Sequence, residues 1–315
     1  MSPFVWLIFG VAVILMLAID LWVFNRKTTQ ISLRESLFWS AIWIGLALLF
    51  NVWVYFGLTP QMGINFFAGY LIERALSIDN LFVFWVIFAY FHVAARLQNG
   101  VLFWGIVGAL IIRAIFIMAG IALIHQFEWI IYLFGAFLMF TGIQMAFRGK
   151  EKTHPERNPI VRLVQRIIPM ASDDQTGAFF VKRDRKLFAT PLFLVLVTVA
   201  ITDVIFALDS VPAILAITTD PFIVYSSNVF AVLGMRALYF AMAGLVPLFH
   251  YLEYGLSLVL FFIGAKMIVD KLFELHISVE IALGVIALLI GGSIVLSLLA
   301  PPKDEQDAAV VDDHH

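Results

Sequence analysis

The sequence predicts an all-α polytopic membrane protein of about nine transmembrane helices around a 3+3 inverted-repeat core. Three observations carry that prediction. Of the 315 residues, 62% are hydrophobic and only 13% charged, with a mean hydropathy of +0.98, far more apolar than a soluble domain. The apolar residues fall into runs of roughly 20, the length that crosses a bilayer. Finally, two stretches on either side of a basic break repeat the same acidic pattern. The formal charge of −2 offers nothing to a nucleic-acid partner. With no cysteine in the chain, disulfides, thiolate nucleophiles and soft thiolate metal sites are excluded, so any metal it handles is held by oxygen or imidazole.

Taken in order, the predicted spans lie near 4–24, 37–57, 66–91, 101–124, 129–147, 190–217, 225–248, 251–270 and 278–300. The first lacks a basic leading region and a small-residue cleavage site, and is read as a retained span. Residues 1–60 form two N-terminal helices, 61–148 a first three-helix repeat and 149–189 a basic cytoplasmic loop. A second repeat at 190–273, a last helix at 274–300 and an acidic cytoplasmic tail at 301–315 follow. Orientation comes from Arg26, Lys27 and Arg34 after the first span and from ten Lys and Arg residues between 148 and 186. Basic loops stay in the cytoplasm, which puts the N-terminus outside and the C-terminus inside. Within the long loop, NPIVRLVQRIIPM reads as an amphipathic helix on the inner leaflet. His92, His125, His250 and His276 fall at span ends and read as surface groups; Asp20, close to Asn25 and Arg26, reads as interfacial.

The repeat is visible in three blocks. IERALSIDNLFVF matches ITDVIFALDSVPA, aligning Glu73 with Asp203, Asp79 with Asp209 and Asn80 with Ser210. RAIFIMAG from Arg113 echoes RALYFAMAG from Arg236, and HQFE echoes HYLE. An odd number of crossings separates the copies, so they enter the membrane from opposite faces, the arrangement that places transporter sites near the midplane.

Four carboxylates within spans cost on the order of 10 kcal/mol on insertion scales, and two readings offset that cost. One is internal pairing with Arg74, Arg113, Arg236 and Lys266. The other is a cation site, in which Glu73, Asp79, Asp203 and Asp209, flanked by Asn80, Ser210 and Asn228, supply hard oxygen ligands. Such ligands suit Mn²⁺, Mg²⁺ or Ca²⁺ better than Cu or Zn. Residues six apart on a straight helix do not share a face. A shared site therefore predicts a kink at Pro212 and, by symmetry, a break near Ser77 or Asp79.

These blocks, with SNVFAVLGMRALYF, LAIDLW and LLFN, resemble the signature segments of the TerC family, closest to its Alx-like branch, over residues 5–300. That resemblance implies a small inverted-repeat exporter and manganese efflux from a bacterial cytoplasm, with the four acids on the metal path and Asn80, Ser210 and Asn228 as neutral helpers. The expected activity is secondary transport of Mn²⁺, in exchange for protons that compete for the same oxygens. The metal is then cargo, with no resident cofactor and no enzymatic reaction. Another hard divalent cation such as Ca²⁺, a stress or assembly factor beside the protein-export machinery, and an intramembrane aspartyl hydrolase are the rival readings.

Overall fold

The structure is a computed structural model that describes residues 2–25, 32–147, 177–183, 186–242, 251–275 and 277–299. Ten α-helices and one β-hairpin make up the described residues. The helices are α1 (Pro3–Asn25), α2 (Leu33–Gly57), α3 (Pro60–Tyr90), α4 (Ala95–Gln126) and α5 (Ile130–Phe147), then α6 (Pro191–Leu215), α7 (Pro221–Leu233), α8 (Met235–Met242), α9 (Leu252–Phe273) and α10 (Val279–Leu299). Seven candidate spans, with α7 and α8 together as one, are long and apolar enough to cross a membrane. Helices α3 and α9 are also long enough, but carry three and four formally charged residues and lie outside that seven. The all-α polytopic class is as expected.

Local chemistry starts the central helices. At α3, Thr59 accepts a hydrogen bond from the Met62 amide at 3.2 Å and Pro60 occupies the first turn. At α6, Thr190 accepts from the Phe193 amide with Pro191 following. At α7, Asp220 accepts from the Phe222 and Ile223 amides at 2.9 and 3.1 Å, ahead of Pro221. Each is a side-chain N-cap followed by a proline whose missing N–H is lost where no helical partner exists.

Packing is pairwise: α4 lies along α6, α3 along α7 and α8, and α5 along α9, while α3 also meets α6 and α4 also meets α7. Exchanging α3 with α6, α4 with α7–α8 and α5 with α9 maps this set of pairs onto itself. The α7–α8 span is 89% buried against 17% for α1, so the former is the core of the bundle and the latter mostly faces outward. Aromatic contacts seat α1 against its neighbours: Phe9 meets Phe222 at 5.5 Å and Phe50 at 5.8 Å between ring centroids.

The α5–α9 seam is closed by small residues. A Cβ on Gly264 would stand 2.5 Å from the Gly135 carbonyl oxygen and 2.9 Å from the Met139 nitrogen, so the backbones touch, as they do where membrane helices pack through glycine. Gly264→Val is expected to lower stability in detergent by about 1–3 kcal/mol, since backbone must move to make room; thermal unfolding of the purified variant measures it.

The structure corrects two local expectations and adds one element. Helix α3 runs unbroken from Pro60 to Tyr90, with no break at Ser77 or Asp79, because neither glycine nor proline interrupts the stretch from Glu73 to Tyr90. Helix α6 continues through Pro212 to Leu215; the proline sits in the last turn and ends the helix without breaking it at Asp209. The break falls in the seventh span, at Gly234 between α7 and α8. The added element is an antiparallel hairpin, β1 (Phe180–Arg183) with β2 (Lys186–Ala189), whose preceding residue Phe179 accepts from the Thr190 amide at 3.0 Å and so joins the start of α6. The stretch 158–170 expected as an amphipathic helix, His250, His276 and the acidic tail lie outside the described residues. His92 and His125 are exposed, as expected.

Candidate ion site within the helix bundle

Two of the predicted acids meet on one arginine. Arg113 on α4 hydrogen-bonds Glu73 of α3 through Nη1, and grips Asp203 of α6 with Nη2 to Oδ1 at 3.2 Å and Nε to Oδ2 at 3.4 Å. Nη1 also donates to the Ser210 hydroxyl at 3.2 Å. Arg113 is 0% exposed, Glu73 1% and Asp203 3%. Two-point contact of this kind uses the planar fork of guanidinium, which lysine lacks.

The depth of this triad follows from the helices. Asp203 stands twelve residues from either end of α6, about 18 Å each way at 1.5 Å per residue. Glu73 lies thirteen residues into α3 and Arg113 thirteen residues before the end of α4, about 20 Å from those ends. The charges therefore sit near mid-depth of a bundle whose helices match a bilayer in length. The Thr-Pro starts at Thr59 and Thr190 set that depth alike in both halves.

Electrostatics makes the triad unusual. Two carboxylates against one guanidinium leave a formal charge of −1 buried in the bundle. Glu73 Oε2 also has no hydrogen-bond partner among the described residues. A buried uncompensated charge is costly, and a positive ion or a proton offsets it. Further buried oxygen and amide groups lie on the same helices. Asn228 on α7 is 0% exposed with neither side-chain polar atom bonded among the described residues, and Asn80 on α3 is 4% exposed with Nδ2 unbonded among them. Asp209 is half-buried on α6, and the Asp79 side chain lies outside what the structure describes. Among the described residues no three acidic or histidine side chains converge as a ready-made metal cage.

The other expected bases bond elsewhere. Lys266 pairs with Asp270 one turn along α9 at 2.6 Å. Arg74 donates to the Ala231 carbonyl oxygen at 3.2 Å, and a Cβ on Gly234 would lie 2.8 Å from its Nη1. A cation thus caps the carbonyl end of α7, where the helix dipole favours it. Arg236 bonds Asp20 at 2.8 Å, both buried. This corrects the interfacial reading of Asp20: its place near a basic segment suggested the surface, but its partner comes from 216 residues away, which no local pattern reveals. At the opposite end of the bundle, Lys271 bonds Glu128 at 2.7 Å and holds that exposed carboxyl below its usual range through the hydrogen bond and its charge. The α4–α5 connection and the end of α9 therefore lie on one side.

Comparison with known proteins agrees with this architecture. The family described as "Integral membrane protein TerC family" matches residues 58–305. An uncharacterized membrane protein, STKORF319, of Myxococcus xanthus is 45% identical over 313 residues, covering 98% of each chain. Alx of Escherichia coli K12, named as a candidate membrane-bound redox modulator, is 44% identical over 295 residues, covering 90% of this chain and 91% of its own. A Rickettsia bellii membrane protein is 34% identical over 286 residues, with 91% and 95% coverage. No solved structure matches. The chain belongs to the TerC family of integral membrane proteins.

Proposed function

We propose that the protein is a secondary transporter that exports Mn²⁺ from the bacterial cytoplasm through the inner membrane, with the N-terminus outside and the C-terminus inside. The observation that carries this reading is the Glu73–Arg113–Asp203 triad: buried at mid-depth, formally −1, and with Glu73 Oε2 unbonded among the described residues. A cation from the cytoplasm shares the two carboxylates with Arg113, while Asp79, Asp209, Asn80, Ser210 and Asn228 line its route. The exchange symmetry of the helix packing supports an inverted repeat whose halves rock about this point. Protons returning to the same oxygens reset the carrier, because metal and proton compete for one carboxylate. Hard oxygen ligands and the absence of cysteine favour a hard divalent cation; the choice of manganese among these rests on the resemblance to the Alx-like branch, with Ca²⁺ as the alternative cargo. The name of the Escherichia coli relative fits such an activity indirectly: a chain without thiols has no thiol–disulfide chemistry of its own, and acts on redox balance through the metal it moves.

The test is cytoplasmic manganese content in Mn²⁺-loaded cells, comparing the intact protein with Asp79→Asn and Asp209→Asn at matched membrane expression. The intact protein is expected to lower the content and either change to abolish the effect. If all three leave it unchanged, these acids serve another cation or hold the fold. Export that persists unchanged with the proton gradient collapsed, at every pH tried, would remove the exchange step.

A further inference from the structure

The two halves differ in where their matching arginines find a carboxylate. Arg113 and Arg236 occupy matching positions in RAIFIMAG and RALYFAMAG, and both are buried, at 0% and 1% exposure. Arg113 takes its carboxylates from α3 and α6, one from each half. Arg236 takes Asp20 from α1, outside both halves and upstream of the region matched by the family. Asp20 is 3% exposed, and its Oδ1 has no hydrogen-bond partner among the described residues. Phe103 of α4 covers the guanidinium, 5.9 Å from its ring centroid.

Position makes the pair more than a tether for α1. Arg236 sits against Phe103, eight residues into α4, whereas Arg113 of the triad stands eighteen residues into the same helix, about 15 Å further along at 1.5 Å per residue. The pair is thus displaced from the mid-depth triad toward the end of the bundle where α1 finishes and α4 and α6 begin. Tyr239, one turn from Arg236, donates to Gln98 at the start of α4 at 3.0 Å, which fixes the same end. Between pair and triad lies a cavity of about 10 Å³, lined by both Asp203 and Arg236 with Gly105, Ala109, Val199 and Val232, room for about one water. A cation moving along this line meets a fixed positive charge before it meets Asp203.

Resting on the transport reading, we propose that the Asp20–Arg236 pair is the closure of the ion path at the end of the bundle that carries Asn25. Arg236 repels cations while Asp20 holds it across the path. An entering divalent cation takes the Asp20 carboxylate in exchange for the guanidinium, which turns aside and leaves the cavity continuous with Asp203. No covalent bond is made or broken; the divalent ion on Asp20 leaves a net +1 and the released Arg236 another +1, an excess that drives the ion on toward the formally −1 triad. Helix α1 thereby contributes a carboxylate to a path that the two halves otherwise build between them.

The absence of native cysteine provides the test. A single Ala109→Cys on the cavity wall is alkylated by a membrane-impermeant maleimide applied to right-side-out and everted vesicles in turn, with and without Mn²⁺. Slow labelling is expected from both faces in the otherwise intact chain, faster with Mn²⁺ from the face that carries Asn25. Asn at position 20 (Asp20→Asn) is expected to raise the rate at least tenfold from that face alone and to remove the Mn²⁺ dependence, while Asp20→Glu restores slow labelling. Should Asp20→Asn fail to reach the membrane, the neutral pair Asp20→Asn/Arg236→Gln leaves no unpaired buried charge and is expected to label as fast. Labelling at the intact rate in these variants, with only a loss of thermal stability, makes the pair a tether and overturns the closure. Fast labelling in the variants with no Mn²⁺ effect anywhere keeps the closure and counts against manganese as the cargo.

Discussion

Arg113→Met is expected to destabilise the protein by about 3–5 kcal/mol, because it removes one partner of a buried ionic network and leaves two carboxylates facing each other. Methionine matches the length of the arginine stem, so packing changes little and the loss reports charge. The amount of protein in the membrane and the midpoint of thermal unfolding in detergent both read it. Lysine at the same site (Arg113→Lys) keeps the charge but not the fork that reaches Glu73 and both oxygens of Asp203, and is expected to fall between. The triple change Glu73→Gln/Arg113→Met/Asp203→Asn removes every charge and is expected to recover most of the stability, since well-packed neutral groups replace buried ion pairs at little cost. Transport is not recovered in that variant. Stability and activity should therefore separate within one set of three residues.

The second expectation runs in the opposite direction. Glu73→Gln and Asp203→Asn each remove one negative charge and convert the triad from a formal −1 to zero, one carboxylate against one guanidinium. Neither change is expected to destabilise the fold, and a modest stabilisation follows if the residual negative charge is the costly element. Cation transport, by contrast, is expected to fall at least tenfold, a loss of about 1.4 kcal/mol or more of interaction with the ion. A site in which the native residue is worse for stability than its neutral analogue is the pattern expected where the charge serves function. Thermal unfolding and metal flux measured on the same preparations decide it. Destabilisation by both variants with flux intact would make the triad a structural clasp.

How far these features were legible in the chain depends on the range over which their causes act. Hydrophobic runs and their charged interruptions are local, so the membrane class, the helical architecture and the acidic blocks at Glu73 and Asp203 were readable directly. Arg113 was legible only as one of four candidate bases, with Arg74, Arg236 and Lys266; which of them meets Glu73 and Asp203 is decided by packing. The continuity of α3 was misjudged because symmetry with Pro212 was given more weight than the absence of glycine or proline after Glu73. The true break at Gly234 depends on a tertiary contact, Arg74 capping α7, and the glycine alone does not show it. Asp20 was misplaced for the same reason: its partner Arg236 is brought to it by packing of α1 on the enclosed seventh span. The strands β1 and β2 were missed in a loop read for its basic charge and for the amphipathic stretch 158–170, although VKRDRKLF carries apolar residues at both ends of a charged centre.

The most direct measurement is Mn²⁺ uptake by the purified protein reconstituted in liposomes with an imposed pH gradient, comparing the intact chain with Glu73→Gln. The intact chain is expected to move Mn²⁺ down its gradient, and faster with protons moving the other way, while Glu73→Gln, equally folded, carries at most about a tenth of that flux. Equal flux through both would contradict the claim that the buried carboxylates on Arg113 form the transport site.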